Sequence, residues 1–67
     1  MEMISVRSQA IAAVGYDPAS MRMQIRFTSG PTIYSYCGVP LWIYDGIMAA
    51  PPKGSYFDLR IRDRYHC

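Results

Sequence analysis

Arg22-Met23-Gln24-Ile25-Arg26-Phe27-Thr28 is followed, across Ser29-Gly30-Pro31, by Thr32-Ile33-Tyr34-Ser35-Tyr36-Cys37. In the first run polar and apolar side chains alternate, so Met23, Ile25 and Phe27 share one face of a strand while Arg22, Gln24, Arg26 and Thr28 turn to solvent. Gly30-Pro31 breaks the run. The β-branched and aromatic content of the second run marks the returning strand of a hairpin. Upstream, the apolar run Ala10 to Tyr16 ends in Asp17-Pro18-Ala19-Ser20, whose Asp and Pro favour a turn. The first half therefore reads as an antiparallel meander.

After Gly38-Val39 the period changes. Pro40 suits the first helical position, because its missing N–H would be unpaired there anyway. Ile43, Tyr44, Ile47 and Ala50 then follow at the spacing of one helix face. Pro51-Pro52 stops that helix, and Lys53-Gly54-Ser55 opens a second one, on which Phe57 and Ile61 stand four residues apart. These patterns predict an α+β class fold: about three antiparallel strands followed by two short helices packed on one face of the sheet. Ile11, Val14, Ile25, Phe27, Ile43, Ile47, Phe57 and Ile61 are the expected core.

With 67 residues, the chain has room for one small core, since a protein of this size buries only about 60% of its unfolded surface. Residues 1–67 are therefore read as a single domain. Seven Lys and Arg against five Asp and Glu give a net charge of +2, short of the strongly basic footprint of a dedicated nucleic-acid binder. The N-terminus carries no signal-peptide pattern, and no apolar run approaches the roughly 18 to 20 residues needed to cross a bilayer. A soluble, cytoplasmic protein is expected, with Cys37 and Cys67 as reduced thiols.

Taken in order, Ile11…Val14-Gly15-Tyr16-Asp17, Tyr34-Ser35-Tyr36, Gly38-Val39-Pro40, Tyr44 and Lys53-Gly54-Ser55-Tyr56-Phe57…Ile61-Arg62 resemble the KTSC domain. That family is named for its occurrence at the C-terminus of some lysyl-tRNA synthetases, and it also occurs as small free-standing bacterial proteins. The resemblance runs from about Ser5 to Tyr65 and implies a small α+β fold, with RNA binding suggested by domain context. The chain departs from the family pattern at Pro52, where a capping Ser is usual, and at Leu41 and Trp42, where polar or acidic residues are usual.

Two function classes follow from the residues. The first is an RNA-binding accessory module. It would use Lys53, Arg60, Arg62 and Arg64 as a basic rim, with Arg60 and Arg64 aligned at i and i+4 on the second helix and Asp58 and Asp63 partly neutralising them. Tyr34 and Tyr36, two apart on a strand, point the same way; they either stack unpaired bases or supply core volume with their hydroxyls at the rim. The second class is a protein-interaction module, of the kind a phage or mobile element could encode, in which Leu41, Trp42 and Met48 contact a partner protein or a second copy in a homodimer. Trp is enriched at such contacts.

Catalysis is not expected. His66 lies beside the C-terminus, where chain ends fray, and no carboxylate pair or nucleophile with a placed base can be assembled. Cys37, His66 and Cys67 are too few for a closed four-ligand zinc site. No cofactor, metal, small-molecule substrate or membrane partner is expected.

Overall fold

The computed structural model describes residues 1–67. Its elements in chain order are β1 (Met3–Ser5), β2 (Ile11–Asp17), β3 (Arg22–Phe27), β4 (Ile33–Tyr36), α1 (Leu41–Ala49) and α2 (Lys53–Arg60). The strands form one antiparallel sheet in the order β1-β2-β3-β4. The fold class is the expected one, with one strand more than the sequence reading gave. Met3-Ile4-Ser5 is too short to show a period, and it joins the sheet by pairing Met3 with Gly15 and Ser5 with Ala13. A side chain at position 15 would leave no room for this strand: a Cβ there would lie 2.8 Å from Met3 Sδ and 2.9 Å from the Glu2 carbonyl.

Register decides which residues enter the core. Val14 pairs with Ile25, Tyr16 with Met23, and Ile11 with Phe27, with an irregularity between Ile11 and Ala13. Strict alternation would put Ile11 and Val14 on opposite faces. The extra residue of a β-bulge restores them to the same face, and both are fully buried. Asp17 sets the β2–β3 turn: its Oδ1 accepts from the Ala19 N–H at 3.1 Å and its Oδ2 from the Ser20 hydroxyl at 3.0 Å. Met21 then takes a φ of 57° to lead the chain back into β3.

Ile11, Val14, Met23 and Ile25 from the sheet meet Val39, Ile43, Ile47, Phe57 and Ile61 in one buried cluster. Phe27 is half-buried at its margin. Tyr16 binds the β4–α1 connection to the sheet, donating from its hydroxyl to the Val39 carbonyl at 2.6 Å and stacking on Tyr44 with ring centroids 4.9 Å apart. The helices touch through Gly46: a Cβ there would overlap the Tyr56 hydroxyl and ring. No helix is long and apolar enough to cross a membrane.

Cys37 and Cys67 are joined by a disulfide, with their Cα atoms 4.8 Å apart and a sequence separation of 30. This corrects the expectation of two reduced thiols. That expectation rested on compartment alone. The fold instead returns the C-terminal segment to the residue that follows β4.

Candidate functional site

The hairpin β3–β4 places both central tyrosines. Tyr34 lies opposite Ile25 and Tyr36 opposite Met23, so both share the face that carries the buried core, since directly opposed residues point the same way. Neither stands on the open face, which presents Arg22, Gln24, Arg26, Ile33 and Ser35 by the same register. Tyr36 meets Phe57 edge-on at 5.7 Å and Tyr34 meets Phe27 edge-on at 5.6 Å, while Phe27 and Phe57 touch at 5.1 Å. Four rings thus run in a chain along the sheet rim. Tyr36 is half-buried against the core; burial raises its phenol pKa above the ordinary value, with the neighbouring Tyr34 hydroxyl adding to the shift. Tyr34 is 50% exposed and offers the accessible ring of the pair.

The basic residues divide into three environments. Lys53 lies at the start of α2, but its ammonium turns back onto the end of α1. It donates to the carbonyls of Ile47 at 3.1 Å, Met48 at 2.8 Å and Ala50 at 3.1 Å. An ammonium has three donors, and all three are occupied. Helix α1 has no basic residue in its own last turn, so Lys53 supplies the cation its free carbonyls attract.

Arg60 ends α2 and is exposed. Arg62 pairs with Asp58 at 3.6 Å, both side chains being largely exposed, and such a pair contributes little. Arg64 donates from Nε to the Leu59 carbonyl at 3.1 Å, which leaves its terminal guanidinium nitrogens free of protein partners. The expected i, i+4 alignment of Arg60 with Arg64 on one helix does not occur. The N–H groups of Ile61 and Arg62 both bond the Phe57 carbonyl, at 3.0 and 2.9 Å, and Asp63 has a φ of 61°. The helix therefore ends at Arg60, its last turn closing as Ile61 enters the core.

The chain beyond Arg64 returns to the end of β4. Three residues span at most about 11 Å, so the Arg64 backbone lies within that distance of Cys67, itself 4.8 Å from Cys37 between Cα atoms. Cys37 directly follows Tyr36. Sequence reading missed this juxtaposition because it treated the chain end as frayed; the cysteine spacing was the available signal.

On α1, Leu41 is 53% and Trp42 61% exposed, and Asp45 and Ala49 on the Trp42 side of the helix are exposed too. Met48 stands apart from the exposed pair: it is half-buried and packs against the core. An open cleft of about 710 Å³ is lined by Arg7 to Ala10, the α1–α2 turn and the first turn of α2. No three of the His, Cys, Asp and Glu side chains converge in a way that could hold a metal ion.

A KTSC domain model matches residues 7–65, nearly the whole of this architecture. The chain belongs to the KTSC domain family. A protein of Tsukamurella paurometabola is 40% identical over 60 residues, covering 90% of this chain and 88% of its own. A lysine–tRNA ligase of Nostoc is 36% identical over 55 residues, or 82% of this chain. The matched segment is only 10% of that ligase, so KTSC sequence occurs there as a small part of a much larger protein. The crystal structure of a KTSC domain protein from Yersinia pestis superposes with a TM-score of 0.92 at 33% identity, covering 98% of this chain and 92% of that one.

Proposed function

We propose that this KTSC domain is a non-catalytic module that binds single-stranded RNA weakly, along the rim formed by β4 and the segment after α2. The observation that carries the reading is the return of the segment after Arg64 to the end of β4, where Cys67 is joined to Cys37, which brings the arginine-bearing end of α2 toward the strand that bears Tyr34. Guanidinium groups contact phosphates and stack on bases, and an accessible aromatic ring adds roughly 1 to 3 kcal/mol per stacked base. The similar segment within a lysine–tRNA ligase of Nostoc supports an RNA context. Tyr36 serves this rim by fixing the strand, and Lys53 by closing α1, so the contacts fall to the three arginines and Tyr34. With so few cations, affinity is modest and lost as salt rises.

A second reading rests on a different surface. Leu41 and Trp42 are adjacent, exposed and apolar at the start of α1, which favours a contact with a partner protein or a second copy of the chain. The two readings separate in one experiment. Changing Arg60, Arg62 and Arg64 to Gln is expected to abolish measurable RNA binding without altering association state, whereas Trp42→Glu leaves RNA binding intact. RNA affinity unchanged in the triple variant removes the rim, and a wild type that dissociates on Trp42→Glu in sedimentation favours the second reading.

A further inference from the structure

We infer that the Cys37–Cys67 bridge is a thiol–disulfide latch that orders the basic C-terminal segment against β4, so that the redox state of this pair sets RNA affinity. The RNA arm of this inference rests on the rim reading above; the latch itself does not.

Few other contacts hold the segment. Beyond Arg64, no residue takes part in a backbone hydrogen bond, the last being from the Arg64 N–H to the Ile61 carbonyl at 3.0 Å. Tyr65 packs against the core margin, His66 is exposed, and Cys67 is attached through sulfur alone. The upstream anchors lie earlier: Ile61 is fully buried, and Arg64 Nε reaches Leu59. Opening the bridge therefore releases Tyr65 to Cys67 from β4, while Arg64 keeps its bonds to the end of α2 and the buried cluster stands as it is. The segment released is the tether that draws Arg64, one of the three rim arginines, toward the end of β4.

The bridge is also open to attack. Cys67 is exposed while Cys37 is half-buried, so an incoming thiolate meets the Cys67 sulfur first. Attack there forms a mixed disulfide and expels Cys37 as a thiolate, which takes up a proton. A second thiolate then attacks the sulfur of the thiol already attached, releasing Cys67 as a thiolate that is protonated in turn. Two thiols of a low-molecular-weight reductant such as glutathione supply the two electrons and leave as one disulfide, and the reverse exchange with that disulfide closes the latch. Oxidation closes a loop containing both helices and pre-pays the ordering of its end, which is the cost a mobile binding segment otherwise meets on contact.

The full chain tests this in glutathione buffers of graded thiol-to-disulfide ratio. Alkylation and intact mass count free thiols, and NMR backbone order parameters read order residue by residue. Opening is expected within the range the glutathione couple spans, with two labels per chain. Order parameters should fall at Tyr65 to Cys67 and stay unchanged in β2 and β3. Single-stranded RNA affinity should fall about five-fold, and the Cys37→Ser, Cys67→Ser double variant should match the reduced protein with no response to the buffer. A bridge that resists every ratio, or a reduced chain that loses order in β2 and β3 as well, overturns the latch and makes the bond a permanent staple. Unchanged order parameters at Tyr65 to Cys67 overturn it equally. A tail released on reduction with no RNA bound in either state upholds the latch and removes the rim reading.

Discussion

Replacing Lys53 with Met keeps most of the side chain's length and apolar stem and removes the three donors that close α1. The wild-type ammonium satisfies the carbonyls of Ile47, Met48 and Ala50. Hydrogen bonds to a charged group contribute about 1.5 to 3 kcal/mol each when buried. These three share one ammonium at a half-buried site, and water can reach the carbonyls once it is gone, so they do not add. A net loss of about 2 kcal/mol combines one strong charge-assisted bond with the interaction of a cation at a helix C-terminus. A chain of this length has a total stability of roughly 3 to 10 kcal/mol, so the change is large. It should lower the melting temperature by roughly 8 to 16 °C, at about 4 to 8 °C per kcal/mol for small domains. Urea unfolding of Lys53→Met, Lys53→Arg and wild type measures it, with the midpoint shifted and the slope unchanged. The folded variant should bind RNA within about two-fold of wild type, since it loses one charge already engaged. Stability within about 0.5 kcal/mol of wild type, together with RNA affinity several-fold weaker, would refute the capping role and return Lys53 to the rim.

Gly46→Ala should destabilise the domain by about 1 to 2 kcal/mol, because the overlap with Tyr56 outweighs the gain of up to about 1 kcal/mol in helix propensity; in a Tyr56→Ala background the same change should stabilise, and denaturation of the four proteins of that cycle reads the sign. Burial, and secondarily Tyr34, raise the Tyr36 pKa, so the folded state favours the neutral phenol. That contribution is complete below the unfolded value near pH 10 and disappears as pH rises through the higher folded value. Melting temperatures from pH 8 to pH 11 should therefore fall more steeply for wild type than for Tyr36→Phe.

The fold was legible where period was strong. The alternation of Met23, Ile25 and Phe27 and the helical spacing of Ile43 and Ile47 place the sheet and α1 correctly, and Ile11, Val14, Ile25, Ile43, Ile47 and Ile61 are all buried. What stayed hidden depends on contacts between distant segments. Met3–Ser5 becomes a strand only because Gly15 leaves room beside it. The bulge between Ile11 and Ala13 is a matter of register, which no local pattern of apolar residues prints. Lys53 looked like a surface charge because its acceptors lie on the preceding helix, around the Pro51-Pro52 turn. The i, i+4 reading of Arg60 and Arg64 assumed that the helix continued, whereas burial of Ile61 and the left-handed Asp63 end it. Tyr34 and Tyr36 are equivalent in sequence and part only in the fold, where Phe57 of α2 covers the second.

The most direct measurement of the central claim is a titration of oxidised protein into a fluorescent single-stranded RNA at several salt concentrations. Three arginines on phosphates give a slope of log affinity against log salt near −2, at roughly −0.7 per phosphate neutralised on a single strand, and the Tyr34→Ala variant should bind more weakly at the same slope. Absence of binding at the lowest salt, or affinity indifferent to salt, would contradict an RNA-binding rim.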